Sequence, residues 1–217
     1  MDFFTAQPTI TTPTIASVKQ FFDGSTNHSG IWFEYLRNYS SIPARVKDQE
    51  KFIELDSWYH TLDLSKCYLT QPELVKIMEW KLTRGKMRPL LKKIQALSND
   101  EVQNATFSGL NHLKTEINEE TIVAALDAIC QPLNGVGPAT ASAILARYNF
   151  SIPFMSDAGL LAVNGKCDYK MKDYRQYYKG ITTKVNQLNN DKQSNYLWTA
   201  RDVEIVLHLV YSKSVIK

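Results

Sequence analysis

Cysteine is sparse in this chain of 217 residues: Cys67, Cys130 and Cys167 are the only three, far apart and without a Cys-x-x-Cys spacing. An odd, scattered set disfavours both a disulfide framework and a zinc or iron–sulfur cluster. A reducing intracellular compartment is the simplest setting. His60 and His112 have no partner at a spacing that suggests a metal or a catalytic triad, so no cofactor or metal is expected. Long apolar runs are missing as well. The stretch IVAALDAIC is broken by Asp127, and nothing approaches the roughly 20 residues that span a bilayer, so a soluble protein with no membrane partner is expected. The opening MDFFTAQPTITTPT has an acid at position 2, no basic n-region, and Thr and Pro where a signal peptide needs an apolar run. Residues 1–14 are expected as a flexible arm ahead of a helical domain over 15–217. No segment alternates apolar and polar residues long enough for a sheet, and no repeat recurs at roughly 20 to 50 residues. A basic excess is lacking too: the net charge of +3 is too small to mark a nucleic-acid binder, and only local clustering of Lys and Arg can do so.

What remains is 44% hydrophobic and 11% aromatic, enough to fill a core, and it carries helical periodicity almost throughout. Thr70 with Glu73 forms a capping-box pattern before a helix over 72–82, whose Leu74, Ile77, Met78 and Leu82 share a face and which Gly85 ends. Ser98 with Glu101 repeats the pattern before Val102, Ala105, Leu110 and Leu113, and Thr199 with Asp202 before Val203, Val206, Leu207 and Val210. Further helices are expected over 31–39, 44–59, 87–96, 119–130, 138–148 and 171–188. The fold class is all-α. The polar stretch NQLNNDKQSN reads as a surface loop or frayed helix end.

Two features carry chemistry. The first is LNGVGPATASAILARY, residues 133–148, where Gly135 and Gly137 bracket Val136 and Pro138 opens a helix of small residues. Asn118 caps the preceding helix, so the pattern is helix, tight hairpin, helix. Glycines without a Cβ let the backbone amides of the hairpin and of the next first turn approach a phosphate closely. A connection that needs glycine for geometry alone is the other reading. The second feature is KLTRGKMRPLLKK, with Lys81, Arg84, Lys86, Arg88, Lys92 and Lys93 and no acid between them. Gly85 and Pro89 should place Arg84, Lys86 and Arg88 on an exposed turn, suited to phosphate contact or else simply solvated. A second basic segment, Lys166 to Lys184, interleaves Lys170, Lys172, Arg175 and Lys179 with Tyr169, Tyr174, Tyr177 and Tyr178. The spacing of 174, 177 and 178 favours a core stripe over a backbone contact.

Leu133 to Ala141 resembles the hairpin of the helix-hairpin-helix DNA glycosylase superfamily. In that superfamily a loop after the second hairpin helix leads to an aspartate that serves glycosidic-bond chemistry, and here Ile152-Pro153-Phe154-Met155-Ser156-Asp157 follows, with Asp157 eighteen residues after Ala139. The resemblance covers 118–163 by motif, and it implies a two-lobed helical bundle. It further implies that Asn134, Gly135, Val136, Gly137, Ala139 and Thr140 hold the DNA backbone, to which the unbalanced positive charge adds Lys81, Arg84, Lys86 and Arg88. Asp157 is then the catalytic carboxylate, although an aspartate there also suits a helix cap. An extruded base needs a planar or apolar partner and a wedge, for which Trp58, Tyr59, Trp80 and Phe154 are available.

Three departures set this chain apart from the superfamily's usual pattern. Bifunctional members carry a lysine nucleophile where this chain has Ala139, so no Schiff-base lyase step is expected. The aspartate is followed by Ala158-Gly159 rather than the usual pattern, and the cysteine cluster of some branches is missing. The expectation is a monomeric, nuclear, monofunctional DNA base glycosylase without a cofactor; the alternative is a DNA-binding module of the same fold without hydrolase activity.

Overall fold

The computed structural model describes residues 18–24, 29–39, 49–84, 89–192 and 195–214. Among them are eleven α-helices and no strand, in agreement with the periodicity. The arm expected over 1–14, the helix starts expected at Ala44 and Met87, and the candidate DNA contacts Lys86 and Arg88 lie outside the described residues.

The helices are α1 (Val18–Gly24), α2 (Ser29–Arg37), α3 (Gln49–Thr61), α4 (Gln71–Thr83), α5 (Leu91–Gln95), α6 (Asn99–Asn111), α7 (Glu119–Cys130), α8 (Pro138–Tyr148), α9 (Asp157–Asn164), α10 (Met171–Asn189) and α11 (Ala200–Ser214). Their starts follow the sequence signals. The Ser98 amide donates to Glu101 Oε2 at 2.7 Å and the Glu101 amide donates back to Ser98 Oγ at 3.2 Å, and Thr199 and Asp202 exchange the same pair at 2.9 and 3.2 Å. Asn118 Oδ1 accepts the Thr121 amide at 2.9 Å at the head of α7. Removing such a cap typically costs about 1 kcal/mol. The short α1 was not expected; it buries Val18 and Phe21, and Phe21 meets Trp32 with ring centroids 4.8 Å apart.

Packing divides the helices into two groups. The helix α7 lies between α6 and α8, and α4 packs on α5, α6 and α8; in the other group α9 packs on α1, α10 and α11, and α11 on α2 and α10. The helix α3 leans on α4, and α7 touches α10. Both groups share one buried core, rich in Trp32, Trp80 and Trp198. Close approach is built in at Gly159, where an added Cβ would fall 2.5 Å from the Tyr177 hydroxyl, so α9 lies directly against α10. Tyr177 is fully buried and donates to the Phe154 carbonyl at 2.8 Å, which ties α10 to the segment leading into α9.

Candidate active site

The hairpin between α7 and α8 is pinned from beneath. Leu133 and Val136 are buried, and the Val136 amide donates to the Leu133 carbonyl at 3.0 Å. Gly135 takes φ +91°, and a Cβ there would stand 2.8 Å from Cβ of Lys93. Gly137 is different: it is extended, with φ −115°, and nothing lies within 4 Å of where its Cβ would be. It caps α8 without a side chain, and the amides of Gly137 and Ala139 meet no protein acceptor among the described residues. That leaves an N-terminus suited to an anion. Asn134 is exposed at the tip, while Thr140 is buried and its amide donates to the Gly137 carbonyl at 2.9 Å. Val136, grouped from sequence with the DNA contacts, has its side chain in the core and its amide engaged inside the turn.

From α8 the chain returns through Ile152, Pro153, Phe154 and Met155, all buried, to Ser156. Ser142 Oγ accepts the Met155 amide at 3.0 Å, fixing this segment on α8. The cap of α9 is Ser156, whose Oγ accepts the Gly159 amide at 3.2 Å. Capping is therefore not the task of Asp157. Asp157 is the first residue of α9, where the helix dipole favours negative charge. Gly165, at φ +71°, terminates α9 in the left-handed conformation, and the chain doubles back so that the Tyr169 hydroxyl donates a short hydrogen bond to Asp157 Oδ1. Cys167 Sγ lies 3.6 Å from the Asp157 carbonyl oxygen.

A cleft of about 230 Å³ opens at this point, lined by Gly137, Ala139 and Thr140 of the hairpin helix, Phe154 to Asp157, Tyr169, Leu90, and Lys81 and Arg84 from the end of α4. Hairpin, aspartate and basic stretch thus share one cavity. Ala139 presents only a methyl group to it.

Neither a family model, nor a curated protein, nor a solved structure matches this chain.

Arg84 departs from its expected place. It is not on an exposed turn: its side chain is 3% exposed and donates to Glu204 at 2.8 Å, with the Glu204 side chain equally buried. The guanidinium lies 4.8 Å from the centre of the Trp80 ring and 5.3 Å from that of Phe154. Burial alone would lower the Arg84 pKa, but the Glu204 carboxylate, Tyr39 and Asp56 carry it above its ordinary value. A cation read from sequence as a surface phosphate contact instead forms part of the cleft wall, because its counter-charge lies on α11, far along the chain. Lys92 and Lys93 remain exposed on α5.

The aromatic candidates separate similarly. Tyr59 and Trp80 stack on each other, centroids 3.6 Å apart and planes 9° from parallel, both buried. Neither face of that contact is open to a base. Trp80 also donates Nε1–H to Asp56 at 2.8 Å, and Tyr59 donates to the Ala143 carbonyl at 2.7 Å. Trp58 is half-buried, with the Lys76 ammonium 5.2 Å from its ring centre, and does not line the cleft. Phe154 does. The second basic segment is partly neutralised, Arg175 and Lys179 both pairing with Glu119 at 2.9 and 3.4 Å, and Tyr174 and Tyr177 are core residues as their spacing suggests. His60 lies 3.4 Å from Asp56, and among the described residues no group of acids, histidines and cysteines has the arrangement of a metal site. Among them, too, no helix is long and apolar enough to cross a membrane.

Tyr169 is the site residue that sequence reasoning missed. In the sequence it is one tyrosine of a basic, aromatic segment, and only the reversal at Gly165 carries it back to Asp157.

Proposed function

We propose that this protein is a monofunctional DNA base glycosylase of the two-lobed helix-hairpin-helix kind. The observation that carries the reading is the cleft itself, in which the uncapped N-terminus of α8 and the Asp157 carboxylate face the same space. The two packing groups of helices, with this cleft where they meet, support the two-lobed description. The amides at Gly137 and Ala139 hold a backbone phosphate, and a nucleotide turned out of the duplex enters the cleft. As the N-glycosidic bond lengthens, positive charge grows on C1′ and the ring oxygen, and the Asp157 carboxylate stabilises it. A water oriented by the same carboxylate adds its oxygen to C1′, and its proton neutralises the departing base. Tyr169 holds Asp157 in place through Oδ1. Ala139 has no side-chain amine, so the base leaves, the abasic sugar remains in the strand as a hemiacetal rather than a Schiff base, and the strand stays intact.

The unusual Ala158-Gly159 after the aspartate has a packing reason. Ala158 is 1% exposed, and Tyr177 occupies the space a side chain at 159 would need. These residues seat α9 on α10, so the departure has a packing explanation that is compatible with a catalytic Asp157.

The test is a panel of duplexes, each with one damaged or mismatched base, assayed for abasic sites. The reading expects base release from at least one member, with strand breaks only after alkali or heat. Salt-sensitive binding with no release across a broad panel would instead indicate a DNA-binding module, and spontaneous strand cleavage through a trapped imine would contradict the monofunctional assignment.

A further inference from the structure

The cleft wall also bears on which base it accepts. We infer, resting on the glycosylase reading above, that the cleft selects an extruded base edged with carbonyl oxygens, an oxo-pyrimidine or oxo-purine, over a base edged with amino groups or one carrying positive charge. Apart from Asp157, which serves the sugar, the polar side chains of the wall among the described residues are Lys81, Arg84, Thr140, Ser156 and Tyr169. Ser156 accepts the Gly159 amide and Tyr169 donates to Asp157. Lysine and arginine have hydrogen-bond donors and no acceptor, so the charge offered to a base edge is positive. Arg84 is the fixed part of this wall. Its Nη2 is held by Glu204 at 2.8 and 3.1 Å, its Cζ lies 4.8 and 5.3 Å from the ring centres of Trp80 and Phe154, and its Nε is buried with no partner among the described residues.

The ion pair has a direction. Glu204 is not among the residues that line the cleft; it lines a smaller cavity to which Arg84, Trp80 and Phe154 also contribute. Of the pair only Arg84 lines the cleft, so the cation rather than its counter-charge is the member that meets a bound base. The exocyclic amines of adenine and cytosine would turn N–H groups toward that cation, and an N-alkylated purine would bring a second positive charge beside it. A carbonyl edge meets it favourably, since a carbonyl oxygen accepts from a cationic donor and an amino group cannot. Leu90, Ala139, Phe154 and Met155 supply apolar surface for the ring faces. At about 230 Å³ the cleft falls below the roughly 300–1,000 Å³ of ordinary small-molecule pockets, which suits one ring system.

The experiment uses Asp157→Asn protein, so that binding is read without turnover. Duplexes carry uracil, hypoxanthine, cytosine, adenine or N7-methylguanine opposite an abasic analogue, which removes differences in pairing strength. Uracil and hypoxanthine should bind about tenfold or more tighter than the other three. The double variant Arg84→Met/Glu204→Met, which leaves no orphan buried charge and whose helicity is checked by circular dichroism, should bring the five affinities to within about twofold of each other. Equal affinities in the parent, an unchanged ratio in the double variant, or loss of discrimination in millimolar inorganic phosphate would overturn the inference. If the oxo bases bind preferentially but wild-type protein releases none of them, the base-edge assignment stands and the hydrolase reading fails. Base release without any such preference is the opposite result.

Discussion

Arg84 and Glu204 are each 3% exposed, and a buried pair of this kind responds differently to losing one member or both. Removing one partner strands a charge in the core, at about 3–5 kcal/mol, whereas replacing both by apolar side chains is often neutral. Arg84→Met and Glu204→Met should each lower the unfolding free energy by that amount in urea melts, while the double variant stays within about 1–2 kcal/mol of the parent. Additive losses would mean that the pair is not coupled. His208 makes a second prediction. Burial holds its pKa well below the ordinary 6.5, Arg84 pushes the same way and Asp56 opposes, and its Nε2 has no partner among the described residues. The unfolded chain therefore binds the extra proton as pH falls below about 6.5, so the contribution of the neutral ring is complete above that value and is lost below it. His208→Leu should flatten the fall in Tm between about pH 7 and pH 5, a slope of up to about 1.4 kcal/mol per pH unit for one group. Neither residue's role was legible in the sequence. A run of cations shows charge, but whether one of them turns inward depends on an acid 120 residues away.

The hairpin makes the next prediction, because its two glycines are required for different reasons. Gly135 has a left-handed φ and Lys93 against its missing side chain; Gly137 has an ordinary extended backbone and open space. Gly135→Ala should cost about 1–3 kcal/mol of stability. Gly137→Ala should fold within about 1 kcal/mol of the parent yet bind duplex DNA more weakly, since its methyl group would project where the phosphate is proposed to sit. Equal DNA affinity for Gly137→Ala and parent would remove the phosphate role from this turn. Elements of this kind were the most legible part of the chain: α7 and α8 begin and end where the Asn118 cap, the two glycines and Pro138 indicate, because local capping and turn chemistry decide them. The helix α1 was missed; it is a short helix that gains its stability by burying Val18 and Phe21 on distant helices, and such tertiary support leaves no local mark.

For the molecule as a whole, helical periodicity sufficed for the fold class, whereas the way α4, α8 and α9 converge on one cleft follows from packing that spans the chain. In the sequence, Gly137 and Asp157 are linked only by a spacing that resembles that of the superfamily. Geometry adds Tyr169, moves Arg84 from an exposed turn into the cleft wall, and takes Tyr59 and Trp80 away, because a stacked, buried pair has no surface left for a base. The central claim is that Asp157 performs chemistry in that cleft. The most direct measurement is the single-turnover rate of base release from the best duplex of the panel, compared between wild type and Asp157→Asn, with duplex affinity measured in parallel. A fall of about 100-fold or more in rate with affinity unchanged is the predicted result, the scale expected when a group stabilising charge only in the transition state is removed. Release at the wild-type rate by Asp157→Asn would contradict it.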